Sequence, residues 1–233
     1  MKHFFITGTD TDIGKTFVAC ALMIALREHG IKVAPMKPVS AGTVLKNGIL
    51  LNEDVHHLMD VYGSAIDSTL VGPYCFRQPV APHIAAEYEA AAVDHNVIER
   101  AFTLLAQSHD TVLVEGAGGF LVPLSSTESM SVLPSRLGLD VILVVGMRLG
   151  CLNHALLTAE AIRTRGLHLA GWVANTVDPA MPYLTENIDT LKHLLAAPCL
   201  GVVPRLPPIL AKDQMMATAH HASTYLQIEP LFA

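Results

Sequence analysis

Charge is scarce in this chain of 233 residues. Asp, Glu, Lys and Arg make up 15% of it, against 51% hydrophobic residues. A disordered chain shows the opposite balance, so that class is excluded. Long apolar runs are also missing. The longest stretch without a charged residue, Gln214 to Ile228, is interrupted by Thr218, His220, His221, Ser223 and Gln227. A bilayer-spanning helix needs about 20 predominantly apolar residues, so the expectation is a soluble protein with no membrane partner. No basic cluster exists either: 15 Lys+Arg stand against 21 Asp+Glu, for a formal charge of −6. Nucleic acid is therefore not an expected partner, because neutralising phosphates needs a concentrated Lys/Arg face.

Cys20, Cys75, Cys151 and Cys199 are scattered without a C-x-x-C pair, against both a structural zinc and a disulfide framework. Reduced thiols in the cytoplasm are the default. The histidine pairs His56-His57 and His220-His221 are adjacent, so they do not share a helix face as i, i+4 ligands would. Residues 1–7 carry one basic residue and run into a Gly/Asp/Thr loop with no small-residue cleavage site, which reads as a strand and not a signal peptide.

What is present is an alternation of short β-branched runs with helical patterns, the mark of a parallel α/β sheet. Strands are predicted at Phe4–Thr7, Ile31–Met36, Thr111–Val114, Asp140–Val145, Leu167–Ala174 and Cys199–Val203. Helices are predicted at Lys15–His29, Asn52–Val61, Val97–Ser108, Asn153–Arg165 and Leu184–Leu195, with Gly30, Gly63 and Gly166 as stops. Ser40 to Gly48 reads as a turn-rich loop and Leu70 to Pro82 as irregular. Without repeats or linker-like tracts, one doubly wound domain over residues 1–233 is the simplest arrangement.

The first strand enters Gly8-Thr9-Asp10-Thr11-Asp12-Ile13-Gly14-Lys15-Thr16 and a helix starts at once, the setting of a phosphate-binding P-loop. Loop N–H groups and the helix N-terminus hold phosphates, Lys15 reaches the β/γ oxygens, and Thr16 offers its hydroxyl to Mg²⁺. The usual G-x-x-x-x-G-K-[ST] pattern wants glycine where this chain has Thr9; Gly8 lies one residue upstream. The strand Thr111–Val114 ends in Glu115 followed by Gly116-Ala117-Gly118-Gly119, the layout of a Walker B acid. Asp54 sits in the first turn of a predicted helix, where an acid is an ordinary dipole partner. Lys37, fixed by Pro38 at a strand end, points at the crevice where parallel sheets bind ligands; position alone leaves it either a solvated lysine or a catalytic one.

Together the blocks GTDTDIGKT, KPVSAG, NED, APHIAA, VLVEGAGG, LGCLNHALLT and AGWVAN resemble dethiobiotin synthetase, in that family's order from residue 4 to residue 205. The resemblance implies a homodimeric P-loop fold with a seven-stranded, mostly parallel sheet. The implied activity closes a ureido ring from 7,8-diaminononanoate, CO₂ and ATP with Mg²⁺. It implies a phosphate cradle from Thr11 through Asp12, Ile13, Gly14 and Lys15 to Thr16, continuing to Phe17. The implied metal set is Thr16, Asp54 and Glu115, with Gly116, Ala117 and Gly118 beside the nucleotide. Asn175, Thr176 and the Pro204-Arg205-Leu206 segment correspond to adenine recognition. Lys15, Lys37 and Thr11 are the implied catalytic residues. Thr11, Lys37, Ser40 and Ala41 are the implied contacts at the reacting end of the diamine. Gly150, Cys151, Leu152 and Asn153 would take its far carboxylate across the dimer.

Two positions depart from the family pattern. Ala41 stands where it has serine, with Ser40 alongside, so either the loop shifts by one residue or the contact is lost. Asn187 stands where an aromatic is expected, with Tyr183 one helical turn earlier as the alternative. Pro207, Pro208 and Ala211 offer no side-chain anchor for a purine. The rival reading is a MinD-like nucleotide-switch ATPase acting through a protein partner. That class carries a lysine five residues before the P-loop lysine, where this chain has Asp10.

Overall fold

The computed structural model describes residues 2–46, 49–63, 65–206 and 214–232. In chain order the elements are β1 (Phe4–Gly8), α1 (Lys15–Glu28), β2 (Val33–Met36), β3 (Val39–Ala41), β4 (Thr43–Lys46), β5 (Ile49–Asn52), α2 (Glu53–Tyr62), α3 (Ser68–Val71), β6 (Tyr74–Phe76), α4 (Pro82–Tyr88) and α5 (His95–Ser108). They continue with β7 (Thr111–Glu115), α6 (Val132–Leu137), β8 (Asp140–Met147), α7 (Cys151–Arg163), β9 (Leu169–Thr176), α8 (Leu184–Leu194), β10 (Cys199–Val203), α9 (Gln214–Ser223) and a closing 3₁₀ turn, Glu229–Phe232. No helix among the described residues is long and apolar enough to cross a membrane.

The main sheet runs β10-β9-β8-β1-β7-β2, and every pairing in it is parallel. Among the described residues it has six strands, not the seven implied by resemblance; the remaining short strands form a β3–β6 pair and a β4–β5 hairpin. β1 lies at the switch point. The chain leaves it for β2 on one side, β7 returns between them, and β8 crosses to the other side. Ligand crevices in open parallel sheets form at such points, outside the carboxyl ends of the strands. Pro35 lacks a ladder donor, and β2 tolerates it because it pairs only with β7, at the edge.

Period-two alternation divides the core. Phe4 and Ile6 face a cluster with Leu22 and Leu26 of α1 and Ala219 of α9. Phe5 faces the opposite cluster, with Ile98 and Leu105 of α5 and Leu133 of α6. A third cluster packs Leu143, Trp172 and Ala174 against Ala155 of α7 and Leu191 of α8. Burial at about 25 cal/mol per Å² drives all three.

Several boundaries differ from the sequence expectation. The predicted loop from Ser40 to Gly48 contains the end of β3 and all of β4, the first strand of a hairpin, while Asn47 and Gly48 lie outside the described residues. The irregular stretch from Leu70 contains the end of α3 and β6, whose three-residue length leaves no readable period. α7 starts at Cys151, two residues earlier than expected, because Gly150 adopts φ 94° and caps the helix without a side chain. Pro207, Pro208 and Ala211 lie outside the described residues, so the expectation about a purine anchor there meets no structure.

Candidate active site

β1 delivers the loop of residues 8–16 to the C-terminal edge of the sheet, and its path explains the variant spacing. Thr9 continues the strand: its N–H donates to the Val144 carbonyl at 3.0 Å, and its hydroxyl accepts from the Gly146 N–H at 3.3 Å. Gly8 is required by packing, since a Cβ there would stand 2.9 Å from both Ile13 Cδ1 and Lys15 Cδ. At Gly146 a Cβ would meet Ile13 Cγ2 at 2.5 Å. Ile13, buried, thus occupies the space that side chains at both glycines would need. Gly14 is left-handed at φ 81° and caps α1, a conformation that costs glycine nothing.

The Lys15 ammonium donates to the Asp10 carbonyl at 2.7 Å. Asp10 is held in turn: its Oδ1 accepts the Thr11 N–H at 2.8 Å and its Oδ2 pairs with Arg148, just past β8. That pairing was not foreseen from sequence, because the two residues are remote along the chain. Burial lowers Lys15 to about 8, against the opposing charge of Glu115.

Next to it lies a cluster of four groups, from α1, α2, β7 and the link between β2 and β3. Glu115, at the end of β7, is 1% exposed. Its Oε1 accepts the Thr16 hydroxyl at 2.7 Å and the Lys37 ammonium at 2.6 Å. The same ammonium lies 2.8 Å from Asp54 Oδ2. Burial alone would depress Lys37, but the Glu115 and Asp54 carboxylates outweigh it and hold the ammonium above its usual range. Asp54 would be raised by burial, yet Lys37 and the Thr16 hydroxyl bring it below the usual carboxylate range. Glu115 is raised, chiefly by burial and with help from Asp54, despite the pull of Lys37.

Asn52 sets this geometry and was expected only as a helix cap. Its Oδ1 accepts the Asp54 N–H at 3.0 Å, as that role requires. Its amide also donates to the Ala41 and Gly42 carbonyls at 2.9 Å each, tying the end of β3 to the start of α2. Lys37 is anchored through its own N–H to the Val71 carbonyl at 2.6 Å.

These groups line one cavity of about 910 Å³, together with Thr11, Asp12, Gly14, Phe17, Ser40, Ala41, Ala117 and Gly118. Pro79 to Pro82 and Val122 supply apolar lining, as does Met215 of α9; the sequence marks none of these as site residues. Ser40 lines the cavity with its hydroxyl turned to the Tyr74 carbonyl and Cys75 Sγ, both at 3.3 Å. Gly116 is absent from the lining and serves the frame, donating to the Ile6 carbonyl at 2.9 Å.

A second cavity of about 200 Å³ shares Asp12, Gly14 and Phe17 with the first and continues along Asn175, Thr176, Pro204, Arg205 and Leu206. The expected adenine residues are thus brought together beside the phosphate loop. Asn175 donates to the Ile13 carbonyl at 2.7 Å. Gly150, Cys151, Leu152 and Asn153 line neither cavity; Cys151 is buried and Asn153 borders a separate groove between α7 and α8. Tyr183 is exposed at the head of α8, and its carbonyl accepts the Asn187 amide at 2.8 Å.

ATP-dependent dethiobiotin synthetase BioD of Aromatoleum aromaticum is 52% identical to this chain over 207 residues, 88% of the chain and 91% of that protein. The chain belongs to the dethiobiotin synthetase family. A family model described as an AAA domain matches residues 2–213. The MinC:MinD cell division protein complex of Aquifex aeolicus superposes with a TM-score of 0.57 at 16% identity, covering 100% of this chain and 95% of that one. The cell division ATPase MinD of Pyrococcus furiosus gives 0.54 at 17%, covering 96% and 95%. At such identities the likeness establishes a shared P-loop fold and nothing finer. In this chain Asp10, paired to Arg148, stands where the MinD-like reading needs a lysine.

The acidic cluster suits magnesium. Glu115 Oε2 is buried without a hydrogen-bond partner, an acceptor left over inside a polar site. No cluster of three or more His, Cys, Asp or Glu fit for a metal exists among the described residues. The groups that would hold magnesium are the Thr16 hydroxyl and the Asp54 and Glu115 carboxylates, which Lys37 brings together here. A hard cation that keeps several waters and binds phosphate oxygens asks for no more than this.

Proposed function

We propose that this chain, by family an ATP-dependent ligase of biotin biosynthesis, closes the ureido ring of dethiobiotin from 7,8-diaminononanoate, CO₂ and ATP. The observation that carries the reading is the cluster of Lys15, Lys37, Asp54 and Glu115 on one cavity roomy enough for a triphosphate and a second substrate. The adjoining smaller cavity supports adenine binding at Asn175 and Pro204 to Leu206.

One amine of the diamine captures CO₂ as a carbamate and releases a proton. A carbamate oxygen attacks the γ-phosphorus of ATP; the bond to the β-bridging oxygen breaks and ADP departs. The second amine then attacks the carbonyl carbon of the mixed anhydride. Its C–O bond breaks, phosphate leaves with the electron pair, and the amine loses its proton as the ring closes. Phosphorylation is needed because hydroxide is a poor leaving group from a carbamate.

The protein positions the reactants and stabilises charge, since phosphoryl transfer spreads negative charge over equatorial oxygens. Lys15 leaves the Asp10 carbonyl for the β/γ oxygens. The loop N–H groups from Thr11 to Thr16 hold the phosphates in line. Lys37 holds the carbamate and faces the transferred group, and the Pro79–Pro82 wall with Val122 excludes water along the aliphatic chain. Thr16, Asp54 and Glu115 would hold magnesium, which would supply further neutralisation of the phosphate charge. The α7 N-terminus of a second copy takes the far carboxylate on the N–H groups of its first turn. A groove of about 560 Å³ between α7 and α8, with exposed Leu157 and Leu194, supports that dimer.

The test combines the protein with 7,8-diaminononanoate, labelled bicarbonate and Mg·ATP, with controls lacking each component. Mass spectrometry is expected to find one labelled carbonyl bridging both amines, with ADP formed in step. ATP hydrolysis without ring product overturns the assignment. A monomer by light scattering overturns the shared carboxylate site.

A further inference from the structure

Lys37 occupies a place that its proposed work requires it to leave. Its ammonium sits 2.6 Å from Glu115 Oε1 and 2.8 Å from Asp54 Oδ2, between the two carboxylates assigned above to magnesium. The Thr16 hydroxyl donates to that same Glu115 oxygen. Two carboxylates converging on a site with Glu115 fully enclosed cannot both stay ionised without a counter-charge. In this structure the counter-charge is the chain's own lysine.

A divalent ion held by the same oxygens would compete with that ammonium for them, and like charges sharing two carboxylates repel. Both cannot stay. The lysine has somewhere to go: Lys37 lines the large cavity with Lys15 and Thr11, and four rotatable methylenes let its Nζ swing while the backbone stays tied to Val71. Glu115 Oε2, buried and unpartnered, gives the arriving cation an acceptor that the lysine does not use.

We propose that Lys37 is the resident counter-ion of the Asp54–Glu115 pair in the nucleotide-free protein and is expelled toward the transferred phosphoryl group as metal and nucleotide enter. The proposal rests on the ATP–magnesium reading of this site. It has two consequences. Metal without nucleotide is refused, because it must displace an ion pair with nothing to receive the lysine. The lysine's charge reaches the reacting oxygens only once the metal is in place.

The test is a Mn²⁺ titration of the nucleotide-free protein, followed by the electron paramagnetic resonance of the free ion. Lys37→Met, uncharged and close in shape, is expected to bind Mn²⁺ at least about tenfold more tightly than the unmodified chain. Its melting temperature should rise with Mg²⁺, which leaves that of the unmodified chain unchanged. Equal Mn²⁺ affinities overturn the proposal. Lys37→Gln serves in the same titration if the methionine variant fails to fold. In the unmodified chain, the Lys37 ammonium ¹⁵N resonance, assigned by its loss in Lys37→Gln, should shift when Mg²⁺ and β,γ-imido-ATP are added together. An unmoved resonance with nucleotide bound overturns it as well. The ring-closure assay keeps the two readings apart: tightened Mn²⁺ binding without any ring product removes the substrate and keeps the lysine exchange.

Discussion

Replacing Gly14 with alanine strikes the phosphate loop, the α1 cap and the base pocket through one carbon atom. Gly14 sits at φ 81°, and a Cβ there would stand 2.4 Å from Asn175 Nδ2. The left-handed conformation costs a non-glycine residue about 1–2 kcal/mol. The overlap also forces Asn175 away from the Ile13 carbonyl, to which it donates at 2.7 Å in a buried bond. Leaving a buried acceptor unpaired costs about 1–3 kcal/mol. The expected loss is therefore about 2–5 kcal/mol, a large share of the ~5–15 kcal/mol that holds a typical domain folded.

Trp172, the single tryptophan and fully buried in the sheet, reports urea unfolding without added labels. The midpoint should fall while the slope stays constant, the sign of lost stability with unchanged exposed surface. The KM for ATP should rise, because the loop and Asn175 both border the smaller cavity. A double-mutant cycle sharpens the test. In Asn175→Ala the clash partner is gone, so Gly14→Ala together with Asn175→Ala should cost at least ~1 kcal/mol less than the two single changes summed. An unfolding midpoint unchanged in Gly14→Ala, or strict additivity in the cycle, refutes the reasoning.

Other perturbations probe the cluster and its neighbours. Glu115→Gln keeps the shape and removes the charge that Lys37 and Thr16 address; kcat/KM should drop about ten- to hundredfold, with a higher Mg²⁺ requirement, and unaltered kinetics would contradict the role. Lys15 is lowered to about 8 by burial, whereas an unfolded lysine titrates near ~10.4. Between those values the unfolded chain holds the extra proton, so this group's contribution to stability grows as pH rises through that window. Phosphate oxygens restore the proton to the folded chain, so ATP binding at about pH 9 should take one up, seen as a buffer-dependent heat in calorimetry; identical heats in buffers of different ionisation enthalpy would exclude it. Ala41→Ser should lower the KM for the diamine by about two- to tenfold, the worth of one neutral hydrogen bond, without changing that for ATP. A KM that rises instead would mean the cavity has no room at that position.

The frame of the site was legible where chemistry and periodicity coincide on one segment. Gly14-Lys15-Thr16 between a buried strand and a helix, and Glu115 closing an apolar run, announce themselves by residue type. Lys37 and Asp54 were assigned by family pattern, and the geometry joins them through a contact that neither position implies alone. Asn52 escaped notice in its larger role because its partners are the carbonyls of Ala41 and Gly42, and a carbonyl carries no residue signature. β3 and β6 escaped because three-residue strands have no period to detect. Met215 could not be foreseen as a cavity wall, since only the packing of α9 on α1 brings it there. The strand count came from resemblance alone, and among the described residues the sheet holds six.

Ile13 offers a view of how such a loop drifts over evolutionary time. One aliphatic side chain forbids a Cβ at two positions remote in the chain, Gly8 on β1 and Gly146 on β8. Neither glycine is conformationally obliged by a left-handed backbone. Their conservation in a lineage should then follow the side chains packed on them, Ile13 at Gly146 and Ile13 with Lys15 at Gly8. Alanine at position 13 would release neither site, since its Cβ would still stand 2.7 Å from one at position 146 and Lys15 Cδ would still stand 2.9 Å from one at position 8, so both columns of an alignment should stay glycine wherever the lysine is kept and position 13 carries any side chain.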